Sequence, residues 1–182
     1  MHCATAPAIS PFVIYLESFV IRRCLMGLFE SNTPPSTPSV RHLVLQFDGG
    51  SRGNPGPAGI GVTINDLNGK RVYELGEFLG NCTNNVAEYT ALVRGLSAAL
   101  KLGATKLTVR ADSELVVRQI NGQYKVKSPD LKPLYAQAIA LMDKIGDVSV
   151  HHVYREGNSR ADALANAAMD ARTKVEPLGP LP

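Results

Sequence analysis

The segment Leu43-Val44-Leu45-Gln46-Phe47-Asp48 carries an apolar, strand-compatible run onto an acid, and Gly49-Gly50-Ser51-Arg52-Gly53-Asn54-Pro55-Gly56-Pro57 follows at once. A run of that length suits a buried strand, and glycine and proline at that density predict a sharp, irregular turn. Asp48 is thereby delivered to the lip of a sheet. Alone, an Asp-Gly pair is an ordinary turn signal. Whether it means more depends on which other acids reach the same lip.

The following sequence predicts where they arrive. Ala58 to Asn65 and Arg71 to Leu79 are strand-like, and Asp66-Leu67-Asn68-Gly69 between them suits a hairpin, so the first three strands form an antiparallel meander. Thr83 can cap a helix from Asn84 to Leu102, stopped by Gly103. Its apolar stripe is Leu92, Leu96, Ala99 and Leu100, and Glu88 lies one turn earlier on the same stripe. Lys106 to Asp112 alternates as a fourth strand. A strand, a helix and another strand favour a right-handed crossover, which lays the fourth strand parallel to the first and brings Asp112 beside Asp48. A short helix from Glu114 to Asn121, a helix opened by Pro129 and running to Ile145, and a strand from Asp147 to Val153 come next. A last helix, Arg160 to Ala171, holds Asp162 in its first turn. The expected class is α/β, a mixed five-stranded sheet of three antiparallel and two parallel strands flanked by helices.

With 182 residues, 45% of them apolar, the chain suits one domain, placed at residues 41–171. Residues 1–40 read as an extension and linker outside that fold, and residues 172–182 as a frayed tail. In the extension, Glu17 and the pair Arg22-Arg23 interrupt the apolar runs, and the positive charges follow those runs, against a secretory signal. An organelle transit peptide stays open, Met26 is an equally good first residue, and the proline-rich stretch Asn32 to Ser39 is a linker. No segment approaches the roughly 18 apolar residues of a membrane span. Cys3, Cys24 and Cys82 are too scattered for a disulfide framework, so a reducing compartment and a cytoplasmic location are expected.

Asp48, Glu88, Asp112 and Asp162 form the candidate constellation. Glu88 is the most informative, because an ionised carboxylate on a core-facing stripe is costly unless paired or bound to a cation. Lysine and arginine are absent from residues 81 to 93. Asp162 could instead serve the helix dipole, and Asp112 could cap a helix. Converging together without arginines, the four would repel one another, and divalent metal is the usual solution. All-oxygen ligands suit Mg2+ or Mn2+ and argue against zinc. Charge is compatible with this: the formal net charge of +3 would become +7 with four acids neutralised, as a polyanionic substrate requires, although a mixed solvated surface gives the same count.

From about His42 to Ala171 the chain resembles type 1 ribonuclease H. The motifs are Asp48 to Pro57, Thr83-Asn84-Asn85-Val86-Ala87-Glu88, Asp112-Ser113-Glu114-Leu115-Val116 and Arg160-Ala161-Asp162-Ala163-Leu164-Ala165, in that family's order and spacing. The resemblance implies a ribonuclease H-like fold and endonucleolytic hydrolysis of the RNA strand of an RNA/DNA hybrid, leaving 5′-phosphate and 3′-hydroxyl ends. It implies two Mg2+ ions, roughly 4 Å apart in two-metal chemistry, with Mn2+ able to substitute. Asp48 would bridge both ions, Glu88 and Asp112 would hold one, and Asp162, the ligand most tolerant of change, would help hold the other. Asn54, Asn84 and Asn85 would line the minor groove, where amides can both donate to and accept from 2′-hydroxyls. Thr83 would touch a DNA-strand phosphate, or simply cap its helix. A monomer with no obligate protein partner and no membrane association is expected.

This sequence departs from the family pattern in four places. The loop before Asp162 is only Arg155-Glu156-Gly157-Asn158-Ser159 and lacks the histidine many members carry there; Arg155 or Glu156 would replace it, as in shorter-looped relatives. His151 and His152 fall on the fifth strand, where one is expected to face the core. The basic protrusion shrinks to Gln123 to Pro133, with Lys125, Lys127 and Lys132, and residues 1–40 are too few and too neutral for the hybrid-binding module of some eukaryotic relatives, so none is expected. Glu114 stands where a neutral amide is frequent. Two competing readings are an integrase-like phosphoryl transferase on the same fold and a non-catalytic hybrid-binding module.

Overall fold

Leu43, Leu45 and Phe47 alternate along the first strand and are at most 2% exposed, so one face of that strand is core. In the computed structural model, which describes residues 40–177, the strand is β1 (His42–Ser51). After it come β2 (Gly56–Asp66), β3 (Arg71–Cys82), α1 (Asn84–Lys101), β4 (Lys106–Ala111), α2 (Glu114–Ile120), α3 (Leu131–Ile145), β5 (Asp147–His152), a 3-10 turn (Arg155–Asn158) and α4 (Ser159–Ala171). The sheet order is β3-β2-β1-β4-β5, with β1 antiparallel to β2, β2 antiparallel to β3, and β4 parallel to both β1 and β5. This is the expected mixed sheet. The extension expected over residues 1–39 lies outside the described residues, as do residues 178–182. Among the described residues no helix is long and apolar enough to cross a membrane.

Each face of the sheet takes its helices for a legible reason. Ile60, Val62 and Ile64 of β2 join the core that also holds Tyr89, Leu92 and Leu96 of α1. The alternate positions, Gly59 and Gly61, turn the other way, where an added Cβ would fall 2.7 Å from Ala165 O and 1.9 Å from Ala161 O. Bare backbone is what lets α4 lie directly on the sheet. Thr83 caps α1, its hydroxyl accepting from Val86 N–H at 3.4 Å, and Gly103 (φ +75°) follows its end.

Several boundaries differ from expectation. β1 does not stop at Asp48 but pairs on through Gly49, Gly50 and Ser51, because β2 offers them partners at Ile60, Gly59 and Ala58. α3 starts at Leu131, two residues beyond Pro129. The segment after α4 is not simply frayed: Val175 exchanges two backbone hydrogen bonds of 2.7 Å with Gly76 on β3, giving that edge strand a partner.

Candidate active site

The parallel ladder between β1 and β4 ends at Gln46 opposite Arg110. Carried two residues further, the same register sets Asp48 level with Asp112, which lies just past the end of β4. Glu88 reaches them from α1 because Gly49 has no Cβ; one built there would lie 2.3 Å from the backbone of Ala87 and Glu88. Asp162 comes from the first turn of α4, whose start is fixed by Arg160: its Nε and Nη2 donate to the buried Glu74 of β3 at 2.7 and 2.9 Å. That fork, with Arg71 as a second partner, holds the Glu74 carboxyl below the usual carboxylate range. Asp48, Glu88, Asp112 and Asp162 together line one cavity of about 360 Å3.

Burial and mutual repulsion dominate its electrostatics. Asp48 is pushed up to about 6, by burial first and then by Asp112 and Asp162. Glu88 is pushed up to about 9 by burial, Asp48 and Asp112, against the opposing pull of the Gly49 amide and Ser113 hydroxyl. Its Oε2 is buried without a hydrogen-bond partner. An arginine does join the group, contrary to expectation: Arg155 Nη2 donates to Asp162 Oδ1 at 3.1 Å. Arg155 sits at the exposed side of the cavity and leaves the repulsion around Glu88 uncompensated. A buried oxygen lacking a donor, in a cluster where burial and neighbouring acids push Asp48 and Glu88 upward, fits a hard divalent cation. Among the described residues no three acidic, histidine or cysteine side chains already enclose a point, so the donors line an open cavity rather than a closed cage. A cavity of about 350 Å3 between β3 and α1 offers nothing similar, since both its acids are paired, Glu77 with Arg94 and Glu176 with Lys174, and Lys101 adds a further positive charge.

Of the remaining substrate-binding candidates, one reaches the wall of this cavity. Asn84 lines it, and its backbone N–H donates to Asn54 Oδ1 at 3.2 Å, tying the loop after β1 to the start of α1. Asn85 is exposed next to them, and Thr83 is half-buried as the cap. Lys125, Lys127 and Lys132 are exposed. Glu114 is held by Arg118 Nη2 and Nε at 2.6 and 2.9 Å. The expectation that His151 or His152 faces the core is corrected, because both are exposed. β5 is an edge strand whose core contact ends at Val150, and His152 Nε2 instead lies 3.2 Å from the backbone oxygen of Asp112. One residue escaped the sequence reading: Asn158, 1% exposed, donates from Nδ2 to Phe47 O at 2.7 Å and to Asp112 Oδ1 at 2.8 Å. Its setting between Gly157 and Ser159 looks like any polar loop, and no periodic signal marks it.

Comparison with known proteins points the same way. Residues 46–168 match the model of the reverse transcriptase-like family. The bifunctional protein Rv2228c of Mycobacterium tuberculosis is 50% identical over 130 residues, 71% of this chain and 36% of that protein. Ribonuclease HI of Halobacterium salinarum is 45% identical over 124 residues, 68% of this chain and 62% of that enzyme. This chain thus spans less than two thirds of either curated relative. The crystal structure of LC11-RNase H1 in complex with RNA/DNA hybrid superposes with a TM-score of 0.68 at 44% identity, covering 71% of this chain and 98% of that one. On its sequence, its sheet order and its place among these relatives, the chain belongs to the type 1 ribonuclease H family.

Proposed function

We propose that this chain is an endoribonuclease that hydrolyses the RNA strand of RNA/DNA hybrids with divalent metal, leaving 5′-phosphate and 3′-hydroxyl ends. The observation that carries the proposal is the convergence of Asp48, Glu88, Asp112 and Asp162 from β1, α1, the end of β4 and α4 in one cavity. Asp48 would contact both of two Mg2+ ions, Glu88 and Asp112 one of them, and Asp162 the other; Mn2+ offers the same hard acceptor preference. When bound, the ions would supply a water of lowered pKa and offset charge on the departing 3′ oxygen.

This chain's own groups would hold the substrate in place. Asn84 lines the cavity, Asn54 accepts from its backbone N–H and Asn85 is exposed next in sequence, and their amides would suit 2′-hydroxyls that both donate and accept. Thr83 and the backbone N–H groups at the start of α1 suit a DNA-strand phosphate. Arg155, 78% exposed in its side chain and paired with Asp162, would exchange that partner for a scissile phosphate and so stand in for the loop histidine, which favours it over Glu156. Affinity for a polyanion of this kind requires no second protein, and we infer that a monomer suffices.

Incubation of a 5′-labelled hybrid with Mg2+, with products resolved on a gel, tests the proposal. Cuts confined to the RNA strand are expected, with Asp48→Asn slower by more than about 100-fold, the upper end of what outer support of a metal site is worth. Binding without cutting would mark a hybrid-binding module instead, and cutting by Asp48→Asn at the parent rate would remove the acids from the chemistry.

A further inference from the structure

Asn158 occupies a position that the chemistry proposed above does not use. It lies in the 3-10 turn, 1% exposed, and is not among the residues lining the acidic cavity. Its Nδ2 lies 2.7 Å from Phe47 O and 2.8 Å from Asp112 Oδ1. Both partners are acceptors, so the two amide hydrogens must face them; the reversed amide would set oxygen against oxygen. One side chain therefore joins the backbone just before Asp48 to the carboxylate of Asp112. Its own Oδ1 is buried with no donor, an unfavourable arrangement that an apolar residue at this turn would avoid. The turn has a separate anchor, because Gln46 Nε2 donates to the Gly157 carbonyl. Holding the turn against β1 does not depend on Asn158 alone.

We propose that Asn158 is a positioning residue for the metal ligands: it fixes the rotamer of Asp112 by occupying one carboxylate oxygen, leaves the other oxygen for a cation, and locks Asp112 at a set distance from Asp48. The proposal rests on the metal-binding reading of the acids. Its chemistry is that of a donor orienting a ligating carboxylate, an arrangement whose loss costs about 10–100-fold in metal affinity or activity.

The test is calorimetric titration of Mg2+ and of Mn2+ into the parent, Asn158→Ala and Asn158→Asp without nucleic acid, with hybrid cleavage and thermal unfolding alongside. Asn158→Ala is expected to raise the metal dissociation constant about 10–100-fold, with the KM for hybrid at saturating metal almost unchanged. Asn158→Asp keeps the shape but turns a carboxylate on Asp112, and its loss should be at least as large. A residue that merely held the turn would lower the folded fraction and leave the dissociation constant alone, so parent-like metal affinity in either folded variant overturns the proposal. Should both variants unfold, the side-chain amide of Asn158 in 15N-labelled parent decides: resonances that exchange slowly and move on Mg2+ addition support it, and resonances indifferent to Mg2+ overturn it. A parent that shows this coupling yet leaves hybrid uncut would sink the ribonuclease reading alone.

Discussion

Glu88 carries the largest unfavourable charge in the site, since burial, Asp48 and Asp112 all oppose its ionisation. A carboxyl whose pKa is raised on folding contributes stability that is complete below its unfolded value and lost as pH climbs through the folded value. For Asp48 that window runs from the ordinary value of 3.8 to about 6, and for Glu88 from 4.5 to about 9. Metal-free protein should therefore lose stability from about pH 4 to about pH 9, and Mg2+ should restore most at the alkaline end. Glu88→Gln should flatten the upper half of that decline in EDTA while abolishing cleavage. Melting temperatures across pH with EDTA or Mg2+ check this, and a flat profile for the metal-free parent would contradict it. These acids were legible in the sequence because strand ends and a helical stripe fix where each side chain points. Asn158 was not, nor was the pairing of Arg155 with Asp162, because a five-residue loop has no period and the partners lie on other elements.

At the scale of elements, the seating of α4 on bare glycine decides where Asp162 lies. Gly61→Ala would force a methyl to within 1.9 Å of Ala161 O. Overpacking of this kind costs about 1–3 kcal/mol, and the displaced helix should also lose cleavage activity. Gly157→Ala, whose new atom would meet nothing nearer than 3.8 Å, should stay within about 0.5 kcal/mol of the parent. Urea unfolding of both variants makes the comparison, and equal midpoints would contradict the account. The meander, the crossover and the amphipathic helices could be anticipated from alternation and caps. The continuation of β1 through Gly49-Gly50 could not, since glycine pairs usually mark turns and only the β2 register shows they are paired. The same limit applied at His151 and His152: alternation assigns faces, but whether a face is covered depends on β5 lying at the edge.

Across the whole molecule, charge is divided between an acidic cavity and basic groups outside it. The exposed Lys125, Lys127 and Lys132 lie in the segment joining α2 to α3 and at the start of α3, within a chain of net charge +3. Phosphate contacts made by such side chains would release counterions, so hybrid affinity should fall steeply with salt. Replacing all three by alanine should weaken binding and make its logarithmic salt slope shallower by about 3 if each meets a phosphate of the duplex. Fluorescence anisotropy at several salt concentrations in Ca2+ measures this, and an unchanged slope would place the substrate elsewhere. The central claim is tested most directly by a crystal structure of Asp162→Asn with a short RNA/DNA hybrid and Mg2+. The account predicts divalent ions held by Asp48, Glu88 and Asp112 against one RNA phosphate; a hybrid bound on another face, with those three carboxylates free of metal, would contradict it.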